Sequence, residues 1–435
     1  VTGSGSFPAD ILIDGEKIAA TGTAEEIKKL AQPGDKEIDA SGCLIFPGFI
    51  DAHTHFDLHV AGTVTADDFA TGTKAALKGG TTTIIDFGTQ YPGETLAEGL
   101  KNWHEKADGK CSCDYSFHMS ITDWNPSVSK EVQDMMDEGI TSFKLYMTYD
   151  TQVDDKTLFE ILQRLKETGG ITGVHCENSG MIAALQEEAK AAGKMGVSSH
   201  PKTRPAAAEA EAIGRLLRLA EVADVPVVVV HLTCKEGYDV IAQARKRGQK
   251  VYVETCPQYL FLTDDRYADD QEGLKAIMAP PLRKKEDNAA LWQALEDGEL
   301  DAVATDHCPF TFAKQKQQGA KDFTQCPSGA PGVEERLPLM FSEAVKGEHL
   351  TIPQVVHYLC TNPAKIAGLY PKKGTIQTGS DADLVLIDPK KEWTITTEKM
   401  HGNADYTCYE GTKVTGAIEK VFLRGREIVT DGNFV

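Results

Sequence analysis

The 435-residue sequence has no apolar run long enough to cross a bilayer. The longest, around Pro226–Leu232, falls far short of the ~20 residues a spanning helix requires. Basic charge is scarce as well: 45 lysines and arginines against 65 acidic residues give a formal charge of −20. No basic stretch is concentrated enough to neutralise phosphates, so neither nucleic acid nor an anionic membrane is expected as a partner. The ten cysteines are scattered through a large chain with ample core residues, which predicts reduced thiols and not a disulfide framework. The first residues show no charged-then-apolar leader, and these features together predict a cytoplasmic protein. Also missing are a Walker A loop, a dinucleotide fingerprint and a Gly-x-Ser-x-Gly elbow.

What is present is enough for a full core: 41% of residues are hydrophobic and 25% charged. The two ends read alike. Residues 10–20 alternate around an Asp14-Gly15 turn, and Asp383–Asp388 and Glu419–Val429, the latter broken at Arg424-Gly425, repeat the strand-and-turn pattern. Neither end can bury two faces alone, which predicts one small β-sandwich domain built from residues 1–46 and 372–435. Between them, residues 47–371 alternate apolar, β-branched runs with helical stretches. The runs are Leu44–Ile50, Thr81–Phe87, Tyr115–Ile121, Thr141–Met147, Ile171–His175, Val227–His231, Val251–Thr255 and Ala302–Thr305. Helical composition marks Thr71–Lys78, Thr157–Glu167, Glu209–Ala223, Tyr238–Lys246 and Asn288–Leu295. Eight strands in series with crossover helices predict an α/β fold, a (β/α)8 TIM-like barrel with its chemistry at the C-terminal strand ends. A doubly wound open sheet is the alternative.

The barrel demands polar residues at strand ends, and the sequence supplies them. The first strand runs into Asp51-Ala52-His53-Thr54-His55, where alternation puts both imidazoles on one face and within reach of one cation. Later strands end at His175, His231 and Asp306, and Lys144 lies in an apolar strand, where a charged amine is costly unless paired or chemically altered. Four histidines, an aspartate and a buried lysine are too many ligands for one tetrahedral metal and suit two cations sharing a bridge. Other motifs carry less. His104-Glu105 lacks the second histidine of a metalloprotease helix, no base is implied for Cys308, and Cys111-Ser112-Cys113 lacks zinc-site spacing.

The set His53-Thr54-His55, Lys144, His175, His231 and Asp306 resembles the amidohydrolase superfamily. Within it, Glu254-Thr255-Cys256-Pro257-Gln258-Tyr259 and Asp322–Glu335 resemble the hydantoinase and dihydropyrimidinase group. The resemblance implies that His53, His55 and Asp306 bind one metal, that His175 and His231 bind the other, and that Lys144, carboxylated by carbon dioxide, bridges them. The imidazole-rich ligand set favours zinc, with manganese as the alternative. The metals would share a hydroxide, Asp306 would shuttle its proton, and Tyr149 would steady the oxyanion. Main-chain groups at Ala279 and Ser328 would hold a small cyclic amide. The resemblance further implies a homo-oligomer, a dimer or tetramer.

The sequence departs from the group in places. Serine and asparagine are commoner at positions 279 and 328, and His59 replaces an apolar residue in the loop from Leu58 to Thr65. Dihydroorotase-like sites carry an arginine where this chain has Asp57, which would repel a substrate carboxylate. Allantoinase is the nearer enzymatic alternative, because His175-Cys176-Glu177-Asn178 is common there. The collapsin-response mediator proteins offer a non-catalytic scaffold reading, but they have lost metal ligands and this chain keeps all six positions.

Overall fold

The computed structural model describes residues 1–435. The chain opens with a hairpin of β1 (Asp10–Asp14) and β2 (Lys17–Gly22), followed by β3 (Leu44–Pro47) and β4 (Phe49–Thr54). A small hairpin follows, β5 (His59–Val60) and β6 (Thr63–Val64). Then come β7 (Thr81–Thr89), β8 (Asp114–Ser120), β9 (Ser142–Tyr146), β10 (Ile171–His175), β11 (Val227–Val229), β12 (Val251–Thr255) and β13 (Ala302–Val303). The chain closes with β14 (Leu384–Thr394), β15 (Lys413–Leu423), β16 (Arg426–Thr430) and β17 (Asn433–Phe434).

Strands β4 and β7 to β13 form one parallel sheet in sequence order. Its two edges meet: the His55 N–H donates to the His307 carbonyl at 2.8 Å, and Thr54 bridges His307 in parallel. The sheet is thus the expected barrel. Both faces of its strands are covered, and all nine residues of β7 are buried, as a parallel strand between barrel interior and helix layer must be. The surrounding helices start on side-chain caps. Asp68 and Thr95 form capping boxes at Phe69–Lys78 and Leu96–Ala107, and Asn125 and Asp154 cap Pro126–Asp137 and Asp155–Thr168.

Strands from both chain ends build the second layer system. A five-stranded antiparallel sheet runs β17-β16-β15-β14-β3, with the β1-β2 hairpin beside it. Ile18 of the hairpin packs with Ala382, Leu384, Leu386 and Phe422 in a small separate core. The β15-β16 turn at Arg424-Gly425 has positive φ at both residues, 46° and 76°, which suits a two-residue hairpin turn.

The structure corrects one strand. The run Leu44–Ile50 is not a single barrel strand: β3 pairs with β14 in the antiparallel sheet, and only from Phe49 does the chain enter the barrel. Gly48 makes the change of sheet. A Cβ there would lie 2.0 Å from Thr82 Oγ1 and 2.7 Å from Asp383 Cβ, so nothing larger than glycine fits. A continuous apolar run carries no mark of such a switch. The helices Leu96–Ala107 and Pro126–Asp137 are further crossovers of the expected kind, and Ser179–Ala191 and Arg336–Lys346 follow β10 and β13. No helix is long and apolar enough to cross a membrane.

One buried cation joins the two parts. Lys373 Nζ lies 2.6 Å from Asp114 on β8, 2.6 Å from Asp383 and 3.1 Å from Asp381. The three carboxylates converge as a metal site might, but cations already compensate them: Lys373 among all three, Lys17 at 2.5 Å from Asp381 and Arg424 at 3.3 Å from Asp114. Removing Lys373 leaves uncompensated charge in a buried place. Lys373→Met should therefore destabilise the fold by about 3–5 kcal/mol, read as a lowered midpoint in denaturant unfolding; an unchanged midpoint would contradict this account of the junction.

Candidate active site

At the end of β4, His53 and His55 approach Asp306, which follows β13. Asp306 Oδ1 is 3.2 Å from His53 Nε2 and 3.1 Å from His55 Nε2. The ligand atoms of all three lie within 4.8 Å of one another, as a metal ion would require. His53 spends its other nitrogen on the protein: Nδ1 is 2.6 Å from Glu254 Oε1 on β12. Such a carboxylate fixes the ring's orientation and leaves Nε2 free for the site. Burial opposes charge on Asp306, but the adjacent imidazoles outweigh it and hold the carboxyl well below its ordinary value. Burial likewise opposes a charged His53, yet Glu254 and Asp306 together raise its pKa to about 9. These carboxylates therefore favour a positive charge between them.

His175 and His231 complete the ring of imidazoles, their centroids 4.6 Å apart and His231 5.5 Å from His53. His175 Nε2 is 2.8 Å from Glu177 Oε2, and Glu177 is paired with the buried Arg204. His231 Nδ1 is buried with no hydrogen-bond partner. An orphaned imidazole nitrogen is expensive, and a cation is the partner it lacks. Lys144 lies below them, 1% exposed. Its Nζ sits 4.8 Å from the Phe87 ring centroid and 5.2 Å from that of Tyr146, and no carboxylate pairs with it. Burial depresses its pKa to about 8, so the neutral amine, the form that can attack carbon dioxide, is accessible near neutral pH. A fixed ammonium among these imidazoles would repel cations, whereas a carbamate would supply two anionic oxygens. The donor set thus fits divalent metal ions, with His53, His55 and Asp306 close enough to share one.

All six of these sequence-predicted residues come together. Three residues at this mouth hold left-handed backbone: His231 with φ 40°, Asp306 with φ 53° and Tyr149 with φ 72°. Such strain in non-glycine residues clusters where side chains must be aimed against local preference. Tyr149 follows β9, 38% exposed, its ring 5.0 Å from His175 and beneath the Arg204 guanidinium at 5.4 Å. Ala279 and Ser328 lie in two loops linked by the Gly329 N–H donating to the Ile277 carbonyl at 3.0 Å. Neither residue spends its main-chain N–H or C=O on the chain. The second loop packs on the strand-end segment itself, since a Cβ on Gly329 would meet the Cys308 carbonyl at 2.3 Å. His59 stands exposed on the β5-β6 hairpin.

Sequence reasoning missed the supports. Glu254 was visible only as part of a motif, and Arg204 not at all. His307 accepts from the Gly332 and Val333 N–H groups at 3.1 and 3.2 Å through Nδ1, so Nε2 donates to Asp67 Oδ2 at 3.0 Å. Asp67 in turn accepts from the Asn403 N–H at 2.7 Å, and Asp405 accepts from the Ala313 N–H at 3.0 Å. A C-terminal strap thus reaches across to the loops of the barrel mouth. The decoys are inert: His104 pairs with its neighbour Asp108 on an exposed helix, and burial pushes the Cys308 thiol up, away from reactivity.

Known proteins resemble the chain throughout its length. A D-hydantoinase of Streptomyces coelicolor is 44% identical over 437 residues, covering 100% of this chain and 93% of the relative. A D-phenylhydantoinase of Escherichia coli is 42% identical over 436 residues, covering 100% and 94%. The crystal structure of a dihydropyrimidinase from Brevibacillus agri superposes with a TM-score of 0.97 at 44% identity, covering 100% and 94%. The model of the amidohydrolase family matches residues 44–428, a span that holds both the barrel and every residue gathered at its mouth, and the chain belongs to that family.

Proposed function

We propose that the protein is a cyclic amidohydrolase that opens a 5-substituted hydantoin or a dihydropyrimidine to an N-carbamoyl amino acid. The observation that carries this reading is the convergence of His53, His55, His175, His231 and Asp306 above the unpaired, buried Lys144. The ring chemistry is suggested by the relatives, whose names are D-hydantoinase, D-phenylhydantoinase and dihydropyrimidinase. We assign His53, His55 and Asp306 to one divalent ion and His175 and His231 to a second, with carboxylated Lys144 between them. Zinc suits this imidazole-rich set, and manganese is the alternative. When bound, such a pair supplies a water of lowered pKa and polarises the amide carbonyl.

The chain's own residues do the remainder. Main-chain groups of Ala279 and Ser328, free of partners within the chain, hold the ring's amide edge. Asp306 takes the proton of the attacking water and returns it to the ring nitrogen as the C–N bond breaks. Tyr149, at the rim beside His175, donates its phenol to the oxygen on which charge develops. Glu254 keeps the His53 ring turned so that Nε2 faces the site. The β5-β6 hairpin meets the ring's substituent, with Val60 offering apolar contact and His59 a polar one.

Three measurements test this. Protein isolated without chelator should carry about two divalent ions per chain, and Glu254→Gln should weaken metal affinity about 10- to 100-fold in a competition titration; unchanged affinity would remove Glu254 from the site. Asp306→Asn keeps the carboxylate's shape but cannot accept the proton, so turnover should fall roughly 10²-fold or more. Near-normal turnover with both metals retained would end the shuttle role. A panel of hydantoin, 5-phenylhydantoin, dihydrouracil, allantoin and dihydroorotate, compared by kcat/KM, should favour the first three. Allantoin leading the panel by more than about tenfold would make the protein an allantoinase.

A further inference from the structure

One buried lysine has no place in this chemistry and no counterion. Lys316, fully buried, opens the short 3-10 turn Lys316–Gly319. The ionisable groups that act on it are the thiols of Cys308, Cys326 and Cys408, and no carboxylate is among them. Its Nζ donates instead to two main-chain carbonyls, Ile277 O at 2.7 Å and Pro327 O at 2.9 Å, with the Phe310 ring centroid at 5.7 Å. A buried amine held only by carbonyls is costly relative to an apolar side chain of the same length. The two carbonyls are not arbitrary. One lies two residues before Ala279 and the other immediately before Ser328.

The Pro327 carbonyl and the Ser328 N–H belong to the same peptide unit. A donor on the carbonyl oxygen draws charge from the amide and makes its N–H a stronger donor, as in any chain of linked hydrogen bonds. That N–H has no acceptor in the chain. The preceding side chain points its bonds elsewhere: Gln315 Nε2 donates to Thr63 Oγ1 at 2.8 Å and to the Val64 carbonyl at 2.7 Å, in the β5-β6 hairpin. Two consecutive side chains therefore tie together all three loops to which substrate contacts are assigned above.

We propose that Lys316 is a positioning residue for ring recognition: it fixes the spacing of the Ala279 and Ser328 main-chain groups and strengthens the Ser328 N–H toward the ring's carbonyl oxygen. The inference rests on the assignment of those two residues as the ring-binding groups. Methionine matches lysine in length and packing but donates nothing, so Lys316→Met isolates the hydrogen bonds from the volume.

The test uses full-length, metal-loaded protein, with metal content and melting temperature measured beside the kinetics. Lys316→Met should raise KM for hydantoin and 5-phenylhydantoin alike, roughly tenfold, with kcat changed less than about threefold and both metals retained. Lys316→Gln, which keeps a donor on a shorter stem, should fall between. Gln315→Ala, which frees the hairpin instead, should raise KM for the substituted ring more than for the bare one. Wild-type KM in a folded Lys316→Met protein overturns the proposal, as does a loss confined to kcat or accompanied by loss of metal. If Lys316→Met does not fold, Lys316→Gln decides: a raised KM supports the proposal and a wild-type KM overturns it. Wild-type protein that opens none of the cyclic amides overturns the substrate reading itself, whereas wild-type turnover with a KM-neutral Lys316 variant strikes only the positioning role.

Discussion

Hydrogen bonding between the end of β4 and the segment after β13 closes the barrel, and the same bonds bring the site together. The His55 N–H reaches the His307 carbonyl, the His307 N–H reaches the His53 carbonyl at 3.3 Å, and Thr305 Oγ1 donates to Asp51 Oδ2 at 2.7 Å. Residues some 250 positions apart are held in register by main-chain geometry, which is stiffer than any side-chain contact. His53, His55 and Asp306 meet because the strands that carry them are neighbours around the circle. An open sheet with the same strands would leave them on opposite edges.

Closure alone does not aim the side chains. Two of the imidazoles commit one nitrogen to a buried carboxylate and present the other: His53 to Glu254 and His175 to Glu177. Those carboxylates then need their own compensation. Glu177 has Arg204, and although burial raises its pKa, the guanidinium and His175 pull it down to about 2. Farther along, Arg283 pairs with Glu209 at 2.9 Å and donates to Thr233 at 2.8 Å. The polar network extends well beyond the ligands because a buried charge satisfied by another buried charge only moves the problem outward. Together with the left-handed backbone at Tyr149, His231 and Asp306, it marks the mouth as the place where stability has been traded for geometry.

How much of this was legible follows from the range of the interactions. The barrel and the candidate site residues were readable because apolar runs that end in histidine or aspartate, or enclose a lysine, are local patterns, each visible within a few residues. The partners of those ligands were not. Glu254 sits 201 positions from His53, and nothing near either residue announces the other. Lys316 lies in a segment without periodicity, where a lysine reads as solvated surface until its carbonyl partners are seen. The switch of sheets at Gly48 was hidden for a different reason, since apolar residues on both sides satisfy two different cores. His231 and Asp306 stand out in the sequence by type and place at strand ends, but their left-handed backbone has no signature in a one-letter string.

The strap near the C-terminus has a consequence for the order in which the protein can be made. Asn403 completes the shell of Asp67, Asp67 holds His307, and His307 adjoins Asp306. A chain emerging from the ribosome has all six candidate ligands in hand once residue 306 is out, yet it still lacks β14, which pairs with β3, the strands β15 to β17 beyond it, and the strap that braces the mouth. Contacts of such sequence separation form slowly, and until they do the imidazoles and the lysine are loosely held and open to water. The strap and β14 therefore brace a mouth to which they contribute none of the six candidate ligands, and that bracing needs the C-terminal part of the chain.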